Sequence, residues 1–324
     1  MNFFSRSRRA LAIVSAGALG LACVPLTACS AGSDAAGGNG LSVAASFYPI
    51  QYLAQAIGGE HVDVTSVTPT NVEPHDYELS PKDVTALSGT DLVAYVPGFQ
   101  PSLDDALSEV SGPTVLDLSE AVGLTRHEGA EHNHDDEHAD ETHADHDEHA
   151  DEASATDPHF WLDPVRMRAA AQAIKTALAQ KDPDHTKEFE ANLASLTKTL
   201  DGLDSDYSTG LSQCERTTFV ASHAAFGYLA DRYGLTQASI SGVDPESEPS
   251  PAELAAVKKI VQETGTTTIF TEDLVSPKTA EALASETGAK TAVLNPIESA
   301  PETGDYADAM ATNLQELRTA LSCK

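Results

Sequence analysis

An alternation that starts at Leu41, stops for a long helical stretch and then starts again decides what this chain can fold into. "LSVAASFY", "HVDVTSV", "DLVAYV" and "TVLDL" are short β-branched runs between Leu41 and Leu118. The amphipathic segments between them open at Pro49, Pro81 and Pro101. Proline suits the first helical turn, where no backbone N–H is needed. Strand–helix–strand alternation predicts a parallel sheet covered on both faces. From Asp163 to about Leu211 no strand pattern appears, and the one break is "KDPD" at 181–184. "HTKEFEANLASLTKTLDGLDSDYSTGL" predicts a helix of about 25 residues, long for a globular protein and suited to a rigid spine. The strand pattern then resumes with "RTTFVAS", "TQASI", "TTIFTE" and "KTAVL", and a last helix is expected from about Asp305 to Leu321. The expected fold is α/β: two (β/α) lobes, each with a roughly four-stranded parallel sheet, joined by a long rigid helix.

The alternation is also interrupted after its fourth strand, by "HEGAEHNHDDEHADETHADHDEHADE". Seven of the chain's twelve histidines fall in this run: His127, His132, His134, His138, His143, His146 and His149. With almost nothing apolar to bury, the segment 127–156 is expected to be a disordered insertion whose histidines form weak, exchangeable metal sites.

A formal net charge of −31 argues against nucleic acid and against docking on anionic lipid, both of which need a basic face. Residues 1–28 read as an export signal, with "MNFFSRSRR" as basic n-region and a short apolar core broken by Pro25. "LTAC" (26–29) resembles the lipobox of bacterial lipoproteins, which makes Cys29 the expected lipidated N-terminus of the mature chain. The expected boundaries are a small, polar tether at 29–40, a first lobe at 41–180, a linker helix at 181–213 and a second lobe at 214–324. With Cys29 lipidated, Cys214 and Cys323 remain as an even pair in an oxidising compartment, either a disulfide or two buried thiols.

Outside the run five histidines remain. His61 and His185 read as ordinary surface residues. His75 follows the second strand, His159 follows the insertion after the fourth, and His223 comes straight off the first strand of the second lobe. Parallel α/β sheets bind ligands beyond the carboxyl ends of their strands, so facing lobes would bring these three to one cleft. Trp161, the only tryptophan, and Phe160 could wall that cleft from water. The ligand spacing fits no local zinc motif, so only tertiary structure could unite these residues.

"PHDYELSP", "DPHFWLDP", "SHAAFGYLADRYG", "IFTEDLVSPKTAEALASETGAK" and "LNPIES" together resemble the metal-binding lipoprotein receptors of bacterial zinc and manganese ABC importers, over essentially the whole mature chain. The resemblance implies two lobes on a long helix with one metal ion between them. It implies His75, His159 and His223 as ligands, and Glu298 or a water as the fourth, with Glu272 and Asp273 beside them. Three imidazoles and a carboxylate suit tetrahedral Zn2+, whereas the manganese receptors replace the third histidine by a carboxylate. The implied partners are an ABC permease and its ATPase, with the chain a monomer held to the outer face of the cell membrane by lipid alone. Other readings are a receptor for manganese or another divalent metal, a zinc buffer or adhesin, and a zinc hydrolase using Glu73 or Asp76 as base. No hydrolase motif accompanies that last pair, so no enzyme is expected.

Overall fold

A computed structural model describes residues 40–127 and 156–324. Cys29, the tether, and His132, His134, His138, His143, His146 and His149 lie outside the described residues.

The first sheet contains β1 (Leu41–Ala45), β2 (Val62–Ser66), β3 (Leu92–Tyr95) and β4 (Thr114–Asp117), in the order β2-β1-β3-β4. The second contains β5 (Thr218–Ala221), β6 (Thr236–Ser239), β7 (Thr268–Thr271) and β8 (Lys290–Val293), in the order β6-β5-β7-β8. Every pairing is parallel. The two lobes therefore repeat one topology. Their helices are α1 (Tyr48–Gly58), α2 (Pro81–Leu87), α3 (Pro101–Glu109) and the short α4 (Ser119–Val122) in the first, and α7 (Gly227–Tyr233), α8 (Pro251–Thr264), α9 (Lys278–Thr287) and α10 (Tyr306–Leu321) in the second.

Side-chain alternation shows why both faces of each sheet are covered. Val43 and Ala45 point to one core and Ala44 to another; Leu92 and Ala94 alternate in the same way with Val93. In the second lobe Phe219, Ala221 and Phe270 face the shared core, while Val220 and Ile269 pack under α8 and α9 with Val257, Val261 and Leu283. A strand buried on both faces needs apolar residues at consecutive positions, which is how these runs read. Where the sequence run "LSVAASFY" predicts strand, the strand stops at Ala45. Tyr48 opens α1, because Pro49 fixes a helical φ and cannot donate to the ladder.

After the first sheet come α5 (Pro164–Lys181), packed on α1 and α4 of the first lobe, and α6 (Thr186–Gly210), the two separated by a 3-10 turn at Pro183–His185 in the "KDPD" break. At 25 residues α6 is about 37 Å long. It packs on α1, α5 and α10, so it touches both lobes. One apolar cluster runs through the molecule from Phe47 and Ile50 by way of Leu196, Leu200 and Tyr207 to Phe219, Met310 and Leu317. His61 and His185, read from sequence as unremarkable surface residues, stack at 3.7 Å between ring centroids, each hydrogen-bonded to a carboxylate, Glu188 and Asp182 respectively. The contact ties the start of β2 to the turn before α6. Cys214 and Cys323 form a disulfide that fastens the end of α10 to the segment leading into β5. No helix among the described residues is long and apolar enough to cross a membrane.

Candidate metal centre

All four candidate donors sit past the carboxyl ends of strands: His75 after β2, His159 after β4, His223 after β5 and Glu298 after β8. They are the group among the described residues whose donor atoms converge well enough to hold a metal ion. His159 and His223 are fully buried, Glu298 is 2% exposed, and His75 keeps slight access to solvent.

The spacing of the donors is informative. His75 Nε2 and His223 Nε2 each lie 3.3 Å from His159 Nε2. Glu298 Oε1 lies 3.4 Å from His159 Nε2 and 3.6 Å from the Nε2 atoms of His75 and His223. A tetrahedral zinc with bonds of about 2.0–2.1 Å requires donor–donor edges of about 3.3–3.4 Å. Five of the six edges lie close to that length.

Tautomers sharpen the case. Asp157 Oδ1 accepts from His159 Nδ1 at 2.8 Å, and Glu272 accepts from His223 Nδ1 at 2.7–2.8 Å. Carboxylates only accept, so in the neutral rings hydrogen sits on Nδ1 and the Nε2 lone pairs point inward. Both oxygens of buried Glu298 have no hydrogen-bond partner. Lone pairs therefore converge on a point that calls for a cation, since orphaned buried acceptors are costly.

The charge states say the same. Burial opposes ionisation of Glu298, but His159, His223 and His75 hold its carboxyl well below the usual range. Burial also opposes charge on His223, yet Glu272 and Glu298 outweigh it and push it up to about 10. His159 is raised as well, against burial, by Asp157 and Glu298. Burial lowers His75. Without a cation the site takes up protons in its place, so metal must displace them.

Aromatic walls exclude water. Phe99 stacks edge-on to His75 at 4.5 Å, and Trp161 lies 5.0 Å from His159. Trp161 Nε1 donates to Pro296 O at 2.6 Å, which fixes the strand-exit loop carrying Glu298 against the first lobe. Ile297 holds the unusual φ of +60° just before Glu298, and its N–H donates to Asn295 Oδ1. A β-branched residue is strained there, so the loop is held by its contacts: Asn313 clasps Asn295 through two hydrogen bonds, and Asp273 accepts from Asn295 Nδ2. On the other lobe Glu73 accepts from the His75 N–H, and burial together with Glu298 pushes its carboxyl up to about 8. An open groove of about 1350 Å³, rimmed by Asn71, Asp273 and Glu302, reaches Glu272 and Glu298 from the second-lobe side.

A profile of the family described as zinc-uptake complex component A, periplasmic (ZnuA), matches residues 43–320. The chain belongs to that family. It is 37% identical to the high-affinity zinc uptake system protein ZnuA of Bacillus subtilis over 302 residues, covering 90% of this chain and 91% of that one. It is 35% identical to the zinc-binding lipoprotein AdcA of Streptococcus pneumoniae, but spans only 58% of that protein's length. Among solved structures, the laminin-binding protein Lmb of Streptococcus agalactiae, described as having adhesin and metal-transporting activity, superposes with a TM-score of 0.75 at 31% identity, over 87% of this chain and 99% of that one. A zinc-bound AdcAII variant of Streptococcus pneumoniae superposes at 0.74 and 30% identity, over 88% and 99%. The α/β two-sheet fold is thus the ZnuA-family fold.

Of the residues expected around the donors, Glu272 contacts His223 directly and Trp161 lines the site, whereas Asp273 acts one step further out through Asn295. Sequence reasoning missed Asp157 and Phe99. The first stood in plain view in "DPHFWLDP", two residues before His159, a spacing that lets one carboxylate reach both the N–H and the Nδ1 of the histidine. His127, counted with the His/acid run, is instead held in the body of the protein with both ring nitrogens on carboxylates, Asp157 and Asp231.

Proposed function

We propose that the chain is the extracytoplasmic receptor of a zinc importer. It captures Zn2+ with His75, His159, His223 and Glu298 and delivers it to an ABC permease driven by an ATPase. The convergence of three imidazole Nε2 atoms, two of them with their lone pairs fixed inward, and one unpartnered carboxylate at tetrahedral edge lengths carries this reading. Nitrogen-rich donors favour zinc over manganese, which prefers oxygen. Four protein donors also leave no open position for a metal-bound water, which a hydrolase requires. The domain scheme proposed for the chain is a signal at 1–28, Cys29 lipidated, a tether to residue 40, a first lobe at 41–180, a linker helix at 181–213 and a second lobe at 214–324, working as a monomer. The His/acid run is proposed as an accessory that raises the local zinc concentration.

Zinc titration of the mature chain with residues 128–155 deleted tests this. One tight equivalent is expected; its loss would move the site into the run. Radiolabelled palmitate should enter the wild-type protein in cells and not the Cys29→Ala variant. A second reading, adhesion to laminin, is favoured by the likeness to Lmb. Binding of the purified chain to immobilised laminin would support it.

A further inference from the structure

We propose that His127 is a positioning residue of the metal centre, docked into the second lobe and fixing, through Asp157, the orientation of His159. The inference rests on the zinc-capture reading.

Asp157 is fully buried and divides its two oxygens. Oδ1 accepts from both the His159 N–H and His159 Nδ1, each at 2.8 Å. Oδ2 accepts from His127 Nδ1 at 2.7 Å. A carboxylate held through one oxygen can still pivot about its Cβ–Cγ bond. Held through both, its plane is fixed, and so is the ring it orients. His127 is the group that supplies the second hold.

The second lobe provides a socket for that imidazole. His127 Nε2 lies 3.0 Å from Asp231 Oδ2, on α7. The ring of Tyr228 stands edge-on to it at 4.3 Å. The floor is Gly227, where a Cβ would fall 2.4 Å from His127 Cγ, too close for any residue but glycine. Tyr228 reinforces the arrangement from the other side, its hydroxyl donating to Asp157 O at 2.6 Å and accepting from the Thr125 N–H at 2.8 Å. Asp157 N–H also donates to Thr125 O at 2.9 Å, so the strands of chain carrying His127 and His159 lie side by side. Both nitrogens of His127 face carboxylates and both therefore donate, which leaves no lone pair for a metal. Its chemistry sets it apart from the run it begins: it orients a ligand and does not act as one.

Chelator-competition measurements of zinc affinity on the full chain test this, together with the absorption spectrum of the Co2+-loaded protein and circular dichroism as a check on folding. His127→Ala and Gly227→Ala are each expected to weaken zinc binding by about 10–100-fold and to shift the Co2+ bands, the usual signature of losing a ligand's outer hydrogen-bond partner. His127→Asn, whose amide nitrogen can still donate to Asp157, is expected to recover most of the loss seen with alanine. Affinities within about twofold of wild type for both alanine variants, with unchanged Co2+ bands, would overturn the proposal. So would an asparagine variant as weak as alanine, since packing alone would then explain the effect. If His127→Ala does not fold, Gly227→Ala and His127→Asn decide the matter. Failure of the underlying reading looks different: wild type itself would lack a tight zinc site, or His223→Ala would bind as well as wild type.

Discussion

The first lobe and the second share a strand order but bring their donors to the cleft by different means. In the second lobe β5 ends at Ala221 and His223 follows almost at once, while Glu298 hangs from the short exit of β8. His223 inherits its place from the sheet, with Glu272 accepting from both its N–H and its Nδ1, while Glu298 is held by the contacts of its loop. In the first lobe His75 lies nine residues beyond the end of β2, and His159 comes after both β4 and α4; each is placed by side chains. Glu73 holds the His75 backbone, Asp157 holds both the backbone and the ring of His159, and Phe99 and Trp161 pack against them. Of the four candidate donors, His223 stands two residues beyond its strand, whereas the other three are carried on segments held by side-chain contacts. A loop-borne ligand needs more outside support than one at a strand end.

The largest effect should come from a donor itself. His223→Ala is expected to weaken zinc binding by more than the roughly 100-fold upper end seen for outer partners, with the fold intact by circular dichroism. An equal loss from Asp157→Ala would mean that the ligand and its support are indistinguishable. Protons come next. Because His223 is raised to about 10 in the metal-free site, zinc must displace a proton throughout the neutral range. Affinity should therefore fall as pH falls, by about tenfold per unit for each proton displaced, and titrations in buffers of different ionisation enthalpy should register proton release. An affinity flat between pH 8 and pH 6 would contradict the metal-free charge state. Third, the comparison of lobes predicts that Asp157→Asn costs more than Glu272→Gln, within a window of about 10–100-fold, because His223 is also held by its strand. The reverse order would break the contrast. The smallest effect on zinc belongs to Cys214→Ser with Cys323→Ser: roughly 2–5 kcal/mol of stability should go, seen as a lower Tm, with affinity unchanged.

Much of this was legible in advance. All eight strands appear where β-branched runs predict them, and the spine helix where the strand pattern lapses, because both depend on local periodicity. The three histidines could be picked out because each follows a strand, and the disulfide because two cysteines were left over. Glu298 had no local signal; "LNPIES" became informative only through resemblance, since neither a strained φ at Ile297 nor a clasp by Asn313 is written in composition. His127 was the most deceptive residue. Composition groups it with the run, and only the approach of α7, with glycine at 227, separates it.

The spine has a mechanical consequence. One long helix, α6, and one uninterrupted apolar core brace the lobes like a truss, so pulling them apart would expose that core along its length. On the proposed transport role, release of the ion is expected to proceed by deflecting loops at the mouth, where His75 and Glu298 are carried, while the frame keeps its dimensions. Paired spin labels on α3 and α9 should report the same separation with and without zinc, and a shift of domain-closure size would show that the truss gives way.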